Sequence, residues 1–152
     1  MKKDSTVNLE LKPIRPGFDC VGVSYRAIVI NNKGEVLLLK TTPQYRMEPG
    51  SWTRPGGKPE FREEASLAVA REVKEETNLD IELLRIIRVS DMITPDQHWV
   101  SVDCLVKIIG GTLEIKEKRY FEEARWFSLS ALPSPLNSRT KTALEYYKKT
   151  LA

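Results

Sequence analysis

Apolar and polar residues alternate between residues 98 and 109, and Val100, Val102, Cys104, Val106 and Ile108 point one way from an extended strand. Gly110-Gly111 breaks the pattern, and TLEIK (112–116) reads as a further strand. Upstream, VGVSYRAIVI (21–30) is β-rich, NNKG (31–34) has turn composition, and EVLLLK (35–40) completes a hairpin. Residues 41–51 form a loop with Pro43, Pro49 and Gly50, and Ser51-Trp52-Thr53 is a short strand leading into Pro55-Gly56-Gly57. DIELLRIIRVSDMI (80–93) reads as one long or two short strands, EARWFSL (123–129) as a short one, and SLSALPSP (128–135) as a turn with a helical start.

Two stretches lose the strand period. Residues 64–77 lack Gly and Pro and are rich in Ala, Glu and Lys, which predicts a helix. A second helix closes the chain over 137–151, capped by Asn137 or Ser138. Strands around one central and one terminal helix predict an α/β (α+β) domain over 19–152, with a mixed or antiparallel sheet. An irregular arm, 1–18, with prolines at 13 and 16, precedes it.

The 152 residues suit one domain with a single core, and 41% hydrophobic with 30% charged residues reads as soluble and globular. A net charge of +3, with no basic block beyond Met1-Lys2-Lys3, argues against a nucleic-acid polymer as partner. No apolar run reaches the roughly 20 residues of a membrane span, so no membrane is expected. Asp4, Asn8 and Glu10 interrupt any signal-peptide core, and the expected location is cytoplasmic. Cys20 and Cys104 have no metal-ligand spacing and are expected as buried, reduced thiols in strands, although one disulfide is open to them.

The helix over 64–77 carries an acidic stripe. At about 100° per residue, Glu72, Glu75 and Glu76 fall within an arc of roughly 100°. Val69, Ala70 and Val73 form the neighbouring face, which can pack on a sheet, and Ala65 and Ala68 leave room on the stripe itself. Like charges three and four residues apart each cost about 0.2–0.5 kcal/mol. Glu75 and Glu76 also stand at the end where the helix dipole is already negative. Arg71 and Lys74 offset part of this; a divalent cation would relieve the rest, and carboxylate oxygens suit Mg²⁺ or Mn²⁺. On the triplet alone, a solvated helix face explains the charges equally well.

The residues upstream complete a longer pattern. Gly57 is followed by five residues, Glu63, seven residues, Arg71-Glu72-Val73, one residue, Glu75-Glu76, one residue, and Asn78-Leu79. This resembles the Nudix box, G-x5-E-x7-R-E-U-x-E-E-x-G-U with U apolar, and every position matches except the last glycine, here Asn78. Trp52, Pro55-Gly56-Gly57-Lys58 and EEARWFSLSALP (122–133) are similar to segments that flank the box in that family, so the resemblance covers about 21–150. Asn is the usual second choice for the left-handed residue that ends a helix. Arg62 stands where a glycine is common, and Glu64 where Ser or Thr often caps; a carboxylate can cap as well.

The resemblance implies the Nudix fold, a mixed β-sheet sandwiched between α-helices. It also implies Mg²⁺-dependent (or Mn²⁺-dependent) hydrolysis of a phosphoanhydride in a nucleoside diphosphate linked to another group. By carry-over, Glu72, Glu75 and Glu76 are metal ligands, one of which orients or deprotonates water. The Gly57 carbonyl is a further ligand, Glu63 joins through water, and Arg71 holds the carboxylates in place. Glu122 and Glu123 are candidates for a general base outside the box. Arg26 and Lys40 are candidate phosphate contacts. Arg54 replaces a usual apolar residue and reads as a phosphate ligand or a surface salt bridge. His98 and Trp99 read as a base-stacking pair or as a strand end packed on a loop. Specificity is expected from loops 41–51 and 91–98. ADP-ribose, a nucleoside triphosphate, an oxidised nucleotide and a nucleotide sugar are all compatible, as are a monomer and a homodimer. A non-catalytic nucleotide-sensing module is the alternative, disfavoured by the intact Glu trio. A diphosphate isomerase lacks a suitable cysteine-plus-glutamate placement.

Overall fold

The computed structural model describes residues 11–152. In chain order the elements are β1 (Gly22–Val29), β2 (Val36–Thr41), β3 (Trp52–Thr53), β4 (Gly56–Gly57), α1 (Ala65–Thr77), β5 (Leu79–Ile93), β6 (His98–Gly111), β7 (Phe121–Phe127) and α2 (Ser138–Thr150). They form a four-stranded mixed sheet, β4-β1-β6-β5, and a three-stranded antiparallel sheet, β3-β2-β7.

The apolar runs at the end of β1 (27–29) and the start of β2 (36–39) arise because both faces of these strands are covered there. Ala27, Val29 and Leu37 join Val69 and Val73 of α1 and Val102, Cys104 and Val106 of β6 in one core cluster. Ile28, Val36 and Leu38 turn the other way, onto Trp52 and onto Leu144 and Tyr147 of α2. The two helices therefore sandwich the strands, as the resemblance implied. The alternation in β6 is confirmed, but its other face is buried too: Ser101 and Asp103 are 3% and 1% exposed.

Several expectations change. Residues 80–93 make one long strand, kinked by register shifts between Leu83/Arg85 and Ile86/Arg88. Residues 112–116 form no strand; the Glu114 and Lys116 amides donate to the Thr77 and Glu76 carbonyls, closing over the end of α1. Residues 128–135 are turns without a helix. Cys104 is buried as expected, but Cys20 is exposed, and both thiols are free. Residues 1–10 of the expected arm lie outside the described residues; in the rest of it, the Gly17 carbonyl accepts from the His98 amide at 2.8 Å.

The caps follow local chemistry. The Asn137 side chain caps α2, accepting from the Arg139 and Thr140 amides. Glu64 occupies the N-cap of α1 in an extended conformation, but its side chain makes no capping hydrogen bond. Asn78 is left-handed, with φ 61 and ψ 8, and its amide donates to the Lys74 carbonyl. Its side chain also donates to the Thr112 carbonyl at 3.0 Å. Asn78→Gly removes that exposed bond and gains backbone freedom at positive φ, so stability should change by less than about 1 kcal/mol. Asn78→Val should lose more than about 1 kcal/mol in denaturant melts, because its branched Cβ clashes in this conformation.

Candidate active site

The Pro55-Gly56-Gly57 segment brings bare backbone between β1 and α1. Gly56 and Gly57 pair with Arg26 and Tyr25 of β1. On the other side they meet the acidic stripe. The Gly56 amide donates to Glu76 Oε2 at 2.9 Å. A Cβ on Gly57 would stand 2.5 Å from the Glu72 carboxyl carbon, and one on Gly56 would stand 2.2 Å from the Tyr25 carbonyl. Only glycine lets strand, loop and helix approach this closely.

Arg71 organises the stripe. Its Nε and Nη2 donate to the two oxygens of Glu63 at 2.7 and 2.9 Å. Nη1 bridges Glu72 Oε1 and Glu75 Oε2 at 3.1 Å each, and Nη2 also reaches the Lys58 carbonyl. These bonds, with one from the Glu60 amide, hold the Glu63 carboxyl down to about 2. A lowered carboxylate stabilises the fold above its unfolded range near pH 4.3, and this contribution is lost as pH falls toward 2. Glu63→Gln should therefore lower the melting temperature at pH 7, and the difference from wild type should shrink steadily in melts below about pH 4.

Glu76, Glu72 and Glu117 have the opposite shift. Burial pushes Glu76 well above the ordinary carboxylate range, against the Arg26 charge and the Gly56 amide, with Glu72 and Glu117 pushing it further. Burial also raises Glu72, and burial with Glu75 nearby raises Glu117. Among the described residues, no three His, Cys, Asp or Glu side chains are already gathered around one point. The donor set nevertheless fits a hard divalent cation. Glu72 Oε2 and Glu76 Oε1 accept no hydrogen bond from the described residues, and the crowded negative charge resists ionisation without a counter-charge.

Glu72, Glu76 and Gly57 line a cleft of about 650 Å³. Gln44, Tyr45, Arg46 and Met47 of loop 41–51 and Met92, Gln97 and Trp99 around the β5–β6 turn form its walls, as expected of those loops. A third wall, absent from the sequence-based expectation, holds Glu117, Arg119, Tyr120 and Phe121. Glu117 lies between Lys116 and Lys118 in a run that reads as solvated surface, so nothing in the sequence singled it out.

The candidates outside the box divide. Arg26 lines the cleft, its Nη1 donating to the Gly56 carbonyl at 3.2 Å and to the Tyr45 hydroxyl at 3.4 Å. Trp99 lines it as well, with Lys58 Nζ 5.9 Å from the ring centroid. His98 does not; it bonds Asp91 Oδ1 at 2.9 Å. Lys40 sits over the Trp52 ring on the three-stranded sheet. Glu123 pairs with Arg125 on that sheet and Glu122 is exposed, so neither joins the cleft lining. Arg54 does form a salt bridge, but inside the protein: it is 2% exposed and bonds Asp103 at 2.8 Å. Arg88 takes the other oxygen of Asp103 at 3.1 Å.

This arrangement coincides with a known class. A family profile described as NUDIX domain matches residues 22–147, and the chain belongs to that family. It is 32% identical over 114 residues to human 8-oxo-dGDP phosphatase NUDT18, covering 74% of this chain and 34% of that protein. It is 30% identical over 124 residues to ADP-ribose pyrophosphatase of Methanocaldococcus jannaschii, covering 79% of this chain and 70% of that one. The crystal structure of MutT NUDIX hydrolase from Burkholderia pseudomallei superposes with a TM-score of 0.72 at 34% identity, over 82% of this chain and 96% of that one. The chain thus spans about a third of the length of the human relative. Among the described residues, no helix is long and apolar enough to cross a membrane.

Proposed function

We propose that this chain hydrolyses a phosphoanhydride bond in a nucleotide-type diphosphate with the help of Mg²⁺ or Mn²⁺. The observation that carries the reading is the meeting of Glu72 and Glu76 with the bare Gly56-Gly57 backbone at the wall of a cleft of about 650 Å³. In this reading Glu72, Glu75, Glu76 and the Gly57 carbonyl hold the metal. A divalent cation there would neutralise phosphate oxygens and acidify the attacking water. Arg71 and Glu63 position the ligands, since their own hydrogen bonds point to each other and to the stripe. Glu117 is the general base outside the box, because it faces the cleft and its raised carboxyl is closer to neutral pH than an ordinary glutamate.

The substrate end is supported by chemistry of the walls. Phe18, Tyr45, Trp99 and Tyr120 offer faces for a nucleobase, and Arg26, Arg46, Lys58 and Arg119 offer charge for phosphates. Two relatives are named for 8-oxo-dGDP and ADP-ribose, so oxidised nucleotides and nucleotide sugars head the panel to be tested. The test is a Mg²⁺-supplemented screen of nucleoside triphosphates, oxidised nucleotides, ADP-ribose and nucleotide sugars, detecting released phosphate or nucleoside monophosphate. Turnover on at least one of them supports the reading; tight binding without turnover of any would make the chain a nucleotide-sensing module instead.

A further inference from the structure

Around Arg26, three further arginines, Arg54, Arg88 and Arg139, gather near one carboxylate, Asp103. Arg26, Asp103 and Arg88 lie side by side on β1, β6 and β5, in direct register. Directly paired residues share a face of the sheet, so the three form a row across it. Arg54 and Arg139 approach this row from the chain segments above it. Asp103 is fully occupied, with one oxygen taken by Arg54 and the other by Arg88. Arg139 and Arg26 are left without a carboxylate within salt-bridge distance among the described residues. Among the described residues Arg26 hydrogen-bonds a carbonyl and a phenol; burial lowers its guanidinium, but Tyr45, Glu76 and Glu72 more than offset that. Arg139 Nη1 meets only Met92 Sδ, at 3.3 Å, and a thioether is a poor acceptor for a cation.

A second observation lies beneath them. Arg26, Arg54 and Arg139 together line a cavity of about 20 Å³, while Arg26 and Arg139 also face the large cleft. Arg54 is 2% exposed, and its Nε has no hydrogen-bond partner among the described residues. The cavity is the size of about one water, so it is no ligand site by itself. It lies behind a cationic wall whose front opens on the cleft. The α2 N-terminus adds nothing free, since the Asn137 side chain already takes the Arg139 and Thr140 amides. Burial lowers the Arg139 guanidinium first of all, with Arg26 and Arg88 adding to it and Asp103 and Tyr45 opposing.

We propose that Arg139, with Arg26 beside it, forms an anion subsite on the cleft wall that takes a phosphate group of the substrate other than the metal-held one. This rests on the reading that the cleft binds a nucleotide. The guanidinium fork suits phosphate oxygens two at a time, and a phosphate there would give Arg139 the anionic partner it lacks among the described residues. Arg54 and Asp103 are positioning residues that keep the wall charged and rigid. The subsite selects substrates with a phosphate remote from the scissile bond over those ending in a neutral group.

The test has two arms. Inorganic phosphate is titrated into metal-free protein by calorimetry, with Arg139→Gln and, as a charge-matched control on the exposed face of α2, Lys141→Gln. Wild type should bind one phosphate, Arg139→Gln should bind it about tenfold more weakly, and Lys141→Gln should differ less than about twofold. Wild-type affinity in Arg139→Gln, equal losses in both variants, or no phosphate binding to wild type at millimolar concentration would overturn the subsite. In the second arm, KM is compared for two nucleotides that differ by one phosphate remote from the scissile bond. Arg139→Gln should raise KM for the one carrying that phosphate several-fold more than for the other; equal effects on both nucleotides would overturn the subsite. The binding arm needs no turnover. Phosphate binding through Arg139 in a protein without hydrolase activity would sink the hydrolase reading and keep the subsite.

Discussion

Glu76→Gln should lower turnover about 10²–10³-fold while making the metal-free protein more stable. The two effects have one origin. Glu76 is 5% exposed, and burial together with Glu72 and Glu117 raises its carboxyl far above the ordinary range. A carboxyl raised by folding favours the folded state only while protonated, so its charged form opposes folding and stability falls as pH rises through the raised value. Gln imitates the protonated form at every pH and keeps an oxygen to accept from the Gly56 amide. Metal-free Glu76→Gln should therefore melt a few degrees higher at pH 7, with less dependence on pH than wild type. In catalysis the sign reverses, because the lost charge was a metal ligand in the proposed site. Thermal melts with chelator present check the first half, and kcat under saturating Mg²⁺ checks the second. A variant that loses stability and activity together would show instead that Glu76 is a packing residue.

Asp103→Asn should cost about 3–5 kcal/mol of folding stability, which is the expected penalty for removing one partner from a buried ion pair. Asp103 is 1% exposed and balances Arg54, itself 2% exposed, and Arg88. Asn keeps the volume but leaves both guanidinium groups facing one neutral amide. The combined Arg54→Met and Asp103→Leu replacement removes both charges and should recover most of the loss, since an apolar pair of similar volume is often neutral in such a place. Denaturant melts of the two variants decide it. A loss below about 1 kcal/mol in Asp103→Asn would mean that water reaches and screens the pair.

The helix bearing the acidic stripe and its end at Asn78 were legible because local physics sets them. A gap-free Ala- and Glu-rich run forms a helix almost anywhere, and Asn accepts positive φ where few other residues do. The box was legible as a spacing, and the structure supplies its reason: the glycines admit Glu72 and Glu76, and Arg71 ties Glu63 to the stripe. What stayed hidden depends on which strand becomes a neighbour. Asp103 sits on the polar side of a clean alternation, and only the covering of β6 by α2 and the 52–57 segment buries that side. Arg54 looked like surface charge for the same reason. Glu117 sits in a charged loop that the chain folds over the end of α1, where the Glu114 and Lys116 amides fasten it. Residues 112–116 read as a strand because their apolar alternation is real, with Leu113 packing on the core; their hydrogen bonds go to the helix end instead of to a strand.

The central claim is that the stripe works through a divalent metal to break a phosphoanhydride. Its most direct test is a Mg²⁺ titration of turnover, on the best substrate of the screen, after exhaustive chelation, with wild type and Glu76→Gln side by side. The account predicts no turnover in chelator, saturable recovery with Mg²⁺ in wild type, and a kcat about 10²–10³-fold lower in Glu76→Gln at saturation. Turnover that survives chelation, or a Glu76→Gln variant that reaches the wild-type rate, would contradict it.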